Sequence, residues 1–152
     1  MYINICMYVY SDKTGFSDPY VVMRVNHKKY KTKCIKQTLN PVWDAHFDIR
    51  VSPKKKPTHL TFTVWDKDTL GRDFLGEVTI PFINIFDRNN HGVSDGVPRN
   101  YNDPNNFEAY FQLSKRKESN NVSGDLCLKF GFVEEHIGDV KRYLDAWTLL
   151  NA

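Results

Sequence analysis

Cysteine is scarce in this chain and odd in number. Cys6, Cys34 and Cys127 lie far apart, each inside a strand-like run. That pattern excludes a disulfide framework or a zinc ribbon and suits buried thiols in a reducing compartment. Long apolar runs are also missing, and no stretch approaches the length of a membrane span. The first ten residues, MYINICMYVY, are apolar but carry no basic leader and no small-residue cleavage site, so they read as a strand and not as a signal peptide. Strong charge of one sign is lacking as well. A formal net charge of +3 makes no case for nucleic acid, so what matters is where the charges fall. Nor is there a nucleophile elbow, a phosphate-cradling loop or a pair of acid–base carboxylates, and the five histidines have no metal or triad spacing. The chain is read as a binding module and not as an enzyme.

What is present is organised around Trp65 to Gly76, WDKDTLGRDFLG. The alternation Leu60-Thr61-Phe62-Thr63-Val64-Trp65 predicts a half-buried strand with Leu60, Phe62 and Val64 on one face. Acids begin where this pattern stops. In an extended segment Asp66 and Asp68 point to the same side, and Gly71 lets the loop fold back so that Asp73 approaches them. At an effective dielectric near 20, two carboxylates about 5 Å apart repel by roughly 3 kcal/mol. Such a loop needs a cation or must splay, and an oxygen-only donor set suits calcium better than zinc or copper. A single acidic loop is as readily explained by turn chemistry.

The rest of the chain predicts further short strands at Ile3 to Val9, Tyr20 to Val25, His27 to Ile35, Trp43 to Val51, Gly76 to Phe82, Ala109 to Leu113 and Gly124 to Val133. With Leu60 to Trp65 they imply an all-β antiparallel sandwich. A second acidic loop, SDKTGFSDPY, spans Ser11 to Tyr20, and a turn, TLNP, spans Thr38 to Pro41. Ile83 to Phe107 is a long polar connection whose start is read as a helical turn. Beyond Val133 the period changes. Ile137, Val140, Leu144 and Trp147 recur at helical spacing, so residues 134–150 are expected to form an amphipathic helix.

Three motifs now stand in order: Asp-x-x-Gly-x-Ser-Asp-Pro-Tyr from Asp12, Thr-Leu-Asn-Pro-Val-Trp from Thr38, and Asp-x-Asp-x(4)-Asp-Phe-Leu-Gly from Asp66. Together they resemble the C2 domain family, from about Asp12 to Val133. The resemblance implies an eight-stranded antiparallel β-sandwich over residues 1–133, with 134–152 as a C-terminal helix or linker. Only one strand precedes the first acidic loop, which resembles the type II strand order. The resemblance further implies calcium held between loops at one end. The family's five calcium aspartates fall on Asp12, Asp18, Asp66, Asp68 and Asp73, with a peptide carbonyl near Lys67 as a further ligand. The last loop, with four residues between Asp68 and Asp73, is one shorter than in the protein kinase C and synaptotagmin members.

From the same likeness follow the expected partners: anionic phospholipids, namely phosphatidylserine and, at a basic strip, phosphoinositides. Phe16 and Leu70 sit in the acidic loops, where an apolar side chain reaches the interface. Lys29, Lys31 and Lys33 alternate onto one sheet face. Tyr20, Lys31, Lys33 and Trp65 match the family's head-group positions, while Val22 and Arg72 stand where it often has lysine and asparagine. The expected location is cytoplasmic and peripheral to a membrane, with the C-terminal helix available to a protein partner. Two other readings stay open: a calcium-independent protein-interaction module using Lys28 to Lys36 or the helix, and a metal that only stabilises the sandwich.

Overall fold

The computed structural model describes residues 2–10, 18–38, 41–86, 97–133 and 140–152, with the backbone path alone for 2–10. Asp12, Phe16, Asn40 and Ile137 therefore lie outside the described residues. Eight strands are present among those described: β1 (Tyr2–Tyr10), β2 (Pro19–Val25), β3 (Lys28–Lys31), β4 (Val42–Arg50), β5 (His59–Lys67), β6 (Arg72–Pro81), β7 (Ala109–Gln112) and β8 (Asp125–Phe132). Also among the described residues, a 3-10 turn, Phe82–Asn84, follows β6, and a helix, α1, spans Val140–Leu150. The strands form two antiparallel sheets, ordered β4-β1-β8-β7 and β3-β2-β5-β6. One strand precedes the first acidic loop, as expected from the sequence.

The two-residue period decides which face each strand buries. In β4, Trp43, Ala45, Phe47 and Ile49 turn inward while Asp44, His46, Asp48 and Arg50 are exposed. In β5, Leu60, Phe62 and Val64 are buried against Phe130, Leu128 and Leu126 of the opposing sheet. β3 is shorter than the predicted run from His27 to Ile35, because only Lys28 to Lys31 pair with β2. Past Lys31 the chain keeps single bonds, Thr32 N–H to the Val21 carbonyl and Ile35 N–H to the Pro19 carbonyl, without a ladder. Asn26, at φ 54°, makes the tight β2–β3 turn, a backbone state that asparagine tolerates.

The polar connection ahead of β7 proves to be partly interior. Asn100, Asp103 and Asn106 are buried. The Asn106 amide donates to the carbonyls of Phe130 at 2.8 Å and Asn100 at 3.2 Å, pinning the segment to β8. Residues 99–101 run beside Phe132 through reciprocal backbone bonds. The fit requires glycine at 131, since a Cβ there would fall into the Tyr101 backbone.

The helix docks, though not by the whole predicted face. Tyr143 and Leu150 are buried, whereas Leu144 is 46% exposed. Tyr143 stacks on Phe132 with centroids 5.1 Å apart and accepts a hydrogen bond from the Asn100 amide at 2.8 Å. Trp147, as expected, packs on the sandwich, against Phe82 and Phe86 at 5.1 Å each. Two apolar stripes at helical spacing lie side by side in this sequence. The one bearing Tyr143 prevails because its hydroxyl finds a buried partner that a leucine does not need. Phe132 ends β8 and Phe82 follows β6, both at the end away from the acidic loops, so α1 caps the opposite end of the sandwich.

Candidate functional site

The acids stand where β5 runs out of core. Asp66 continues the phase of Leu60, Phe62 and Val64 but lies past the apolar layer, half-buried. The register sets it opposite Pro19 of β2 on one side and Asp73 of β6 on the other. Asp18, Asp66 and Asp73 thus come from three neighbouring strand ends. Asp18 is fixed from several directions. Its N–H donates to Asp66 Oδ1 at 2.8 Å, its carbonyl accepts the Lys67 N–H at 3.0 Å and the Cys34 thiol at 3.2 Å, and its Oδ1 accepts the Gln37 N–H at 2.8 Å. The adjacent Pro19 carbonyl accepts the Trp43 indole N–H at 3.1 Å, so the Pro-Val-Trp segment at the start of β4 braces the acidic loop.

Asp68 lies in the turn itself. Its N–H donates to the Gly71 carbonyl at 3.1 Å, and its Oδ1 accepts the Leu70 N–H at 2.8 Å. This Asx-type turn holds Leu70 outward, 99% exposed at the apex. A one-residue bulge contributes to the geometry. Val64 pairs with Gly76 but Trp65 with Phe74, leaving Leu75 extra in β6. Bulges re-aim the side chains next to a site, and this one sets the Asp66–Asp73 pairing.

Among the described residues no three His, Cys, Asp or Glu side chains are gathered tightly enough to grip one ion. Asp12 is outside those residues. The acids that are described fit calcium in kind. They are oxygen donors only, and each carboxylate accepting one backbone N–H keeps further lone pairs for a cation.

The outer face of the β3-β2-β5-β6 sheet carries the basic strip. Tyr20, Trp65 and Phe74 form one row across β2, β5 and β6. Trp65 meets Phe74 edge to face at 5.8 Å, and the Arg72 guanidinium lies over the indole at 3.8 Å. Lys31 Nζ sits 4.7 Å from the Tyr20 ring centroid. Tyr20 is itself buried, so it forms the floor beneath Lys31, and Lys29, Lys31 and Lys33 supply the exposed charge. Cation–π contacts at such open sites contribute about 0.5–1 kcal/mol each.

One participant is not foreseeable from local sequence. Arg116, in the polar loop between β7 and β8, reaches across to this sheet. Its Nε donates to Glu77 Oε2 at 3.0 Å, its Nη2 donates closely to the same oxygen, and its guanidinium lies 4.9 Å from the Phe74 ring. Its partners are distant in sequence, so no spacing signal announces it.

The family model for the C2 domain matches residues 6–95, more than half of the chain. The chain belongs to the C2 domain family. Among known relatives, Multiple C2 and transmembrane domain-containing protein 1 of Rattus norvegicus is 37% identical over 81 residues, covering 53% of this chain and 8% of that protein. Rho GTPase-activating protein gacEE of Dictyostelium discoideum is 31% identical over 124 residues, covering 80% of this chain and 18% of that protein. This C2 domain thus spans a small part of either relative's length. The paired C2 domains of Extended-Synaptotagmin 2, calcium bound, superpose with a TM-score of 0.59 at 21% identity, over 86% of this chain and 44% of that one. A C2 domain of plant Extended Synaptotagmin 1 gives 0.59 at 20% identity, over 88% and 96%. At that identity the likeness is one of fold. Among the described residues of this C2 domain, no helix is long and apolar enough to cross a membrane.

Proposed function

We propose that this C2 domain binds anionic phospholipid membranes in a calcium-dependent manner and serves as a membrane-targeting module, cytoplasmic and peripheral to the bilayer. Membership of the C2 family makes a membrane- or lipid-binding module the coarse reading. The observation that carries the finer one is the register that brings Asp18, Asp66 and Asp73 to one end of the sandwich, with Leu70 fully exposed beyond them. Asp12, Asp18, Asp66, Asp68 and Asp73 are the proposed ligands. When bound, calcium supplies positive charge and open positions that lipid phosphate or carboxylate oxygens fill. The chain's own contribution is to hold the acids at the loop ends and to present Leu70, together with Phe16 of the first loop, to the interface. Neutralising the acids removes a repulsion from an anionic surface that otherwise acts over a Debye length, ~10 Å at 0.1 M salt.

Sedimentation with phosphatidylserine vesicles tests this. The domain should pellet in calcium and stay in the supernatant in chelator, and it should ignore neutral vesicles in both. Pelleting that is equal in calcium and chelator overturns the calcium requirement. Leu70→Ala should weaken vesicle binding severalfold to about tenfold, because a half-inserted leucine gives up roughly half of 1.5–3 kcal/mol. Calcium titration without lipid should be unchanged, since leucine supplies no ligand. Wild-type vesicle affinity in this variant would mean that the loop touches head groups only.

A second reading rests on the basic strip, whose lysines lie on β3 and just past it. Lys31 over Tyr20, with exposed Lys29 and Lys33, supports phosphoinositide head-group binding, with Trp65 and Arg72 beside them. The double variant Lys31→Ala, Lys33→Ala should lose phosphoinositide affinity and keep calcium affinity in calorimetry. A large fall in calcium affinity would show the two sites to be one.

A further inference from the structure

The two sheets part along one side of the sandwich. Glu77 of β6 and Ser114, just past β7, exchange backbone bonds. The Glu77 N–H donates to the Ser114 carbonyl at 3.0 Å, and the Ser114 N–H donates to the Glu77 carbonyl at 2.9 Å. Among the described residues this antiparallel bridge goes no further, and β6 and β7 do not pair. Instead they flank a hollow of about 570 Å³, walled by residues 77–81 of β6 and 110–112 of β7. We propose that this fork receives an extended peptide segment of a partner protein, which adds antiparallel to the free side of β7 and carries basic residues on either side of an apolar one. It uses neither the acids of the calcium reading nor the lysines of the head-group strip.

Backbone parity fixes what the fork offers. Along an antiparallel ladder, residues that exchange bonds with one neighbour alternate with residues that do not. The Leu113 N–H donates to the Gly124 carbonyl on the β8 side, so Ser114, Gln112 and Tyr110 turn their N–H and C=O groups away from β8. Ser114 meets Glu77 there. Among the described residues Gln112 and Tyr110 meet no backbone partner on that side. Two N–H and two C=O groups thus line one wall of the hollow at strand spacing, which is what a peptide joining a sheet reads.

The side chains set the sequence that such a segment must have. Phe111 is buried, and with Val78 and Ile80 of β6 it gives the hollow an apolar floor. A residue opposite Phe111 faces that floor, whereas residues opposite Tyr110 and Gln112 face outward. On the outward side Asp125 of β8 pairs with Gln112, is half-buried and lines the hollow. Among the described residues its carboxylate has no ion-pair or hydrogen-bonding partner. The other carboxylate in the hollow, Glu77, is already held by Arg116. A lysine opposite Gln112 stands two strand spacings from Asp125, about 10 Å, within the combined reach of the two side chains. The fork therefore favours a basic–apolar–basic segment.

The test titrates the peptide acetyl-Thr-Lys-Val-Lys-Thr-amide into the isotopically labelled full chain, in chelator, and follows amide chemical shifts. Shifts should centre on Tyr110, Gln112 and Thr79. Gln112→Pro removes an outward N–H and leaves the β8 bonds of Phe111 and Leu113 in place, so it should abolish the shifts without unfolding the domain. Asp125→Asn should weaken binding about threefold, the scale of a partly screened ion pair. Thermal melts of each variant check folding. A ligand-side control leaves the protein untouched: methylating the backbone nitrogens of both lysines of the peptide should eliminate binding, because those N–H groups face β7. Exchanging both lysines for glutamates should weaken it about tenfold. Absence of shifts at Gln112 in millimolar peptide, or equal binding by the methylated peptide, overturns the proposal. So do shifts at Gln112 that grow with protein concentration when no peptide is present, since they would give the fork to a second copy of this chain.

Discussion

Asp66→Asn is expected to abolish calcium-dependent vesicle binding while leaving the calcium-free domain folded. Asparagine keeps an Oδ1 that can accept the 2.8 Å bond from the Asp18 N–H, so the anchor between the two acidic loops survives. What disappears is the central charge of the set, flanked in register by Pro19 and Asp73. The calorimetric signature should be large. A ligand that binds only the folded state stabilises by about 2.7 kcal/mol at a hundredfold excess over Kd. For a chain of this size that is roughly 5–10 °C in Tm, at about 2–4 °C per kcal/mol. The wild type should show this rise in millimolar calcium, and Asp66→Asn should show little or none. In chelator the variant should melt at or slightly above the wild type, because one repulsive charge has gone. An equal calcium-induced rise in both proteins would remove Asp66 from the ligand set. No rise in the wild type would remove calcium altogether.

The second large effect lies at the other end of the molecule. Trp147→Ala should cost about 3 kcal/mol, the lower part of the range for a large aromatic truncated in a core, because the indole is only partly buried. The indole packs against Phe82 and Phe86 at 5.1 Å and Phe132 at 6.3 Å, so its removal opens a void that three rings border. Chemical denaturation of the whole chain measures the loss. Leu144→Ala is the internal control. Its side chain is 46% exposed, and it should change stability by no more than about 0.5 kcal/mol. If Trp147→Ala costs no more than about 0.5 kcal/mol, the indole contributes nothing to the packed body.

How much of this is legible in the sequence depends on the range of the signal. The alternations in β4 and β5 speak within ten residues, and the strands form where they predict. The acidic motifs mark the loop ends for the same local reason, although nothing local says that Asp18 is tied to Asp66 by its own N–H. The helix is foreseeable but its contact face is not. Leu144 and Tyr143 are neighbours on two competing stripes, and the choice lies in the Asn100 amide, 43 residues away. Arg116 carries no local signal, because its carboxylate partner Glu77 is 39 residues distant. Tyr20 lies buried beneath Lys31, which period-two patterning alone does not separate from an exposed position. In each case a non-local partner decides.

The position of β3 gives its lysines a role of their own in keeping the chain apart from its copies. Among the described residues β3 is an outermost strand of its sheet, paired with β2 on one side only. A bare flank of backbone N–H and C=O groups invites another chain to add a strand, and flanking lysines are a common safeguard against such aggregation. Lys28, Lys29 and Lys31 are exposed along that flank, while Tyr30 between them turns inward to meet Phe47 at 5.5 Å. Substituting Lys28, Lys29 and Lys31 should therefore lower the concentration at which the protein self-associates. Light scattering would register this in buffer with no lipid present. That safeguard would keep the strand charged whether or not it meets a lipid.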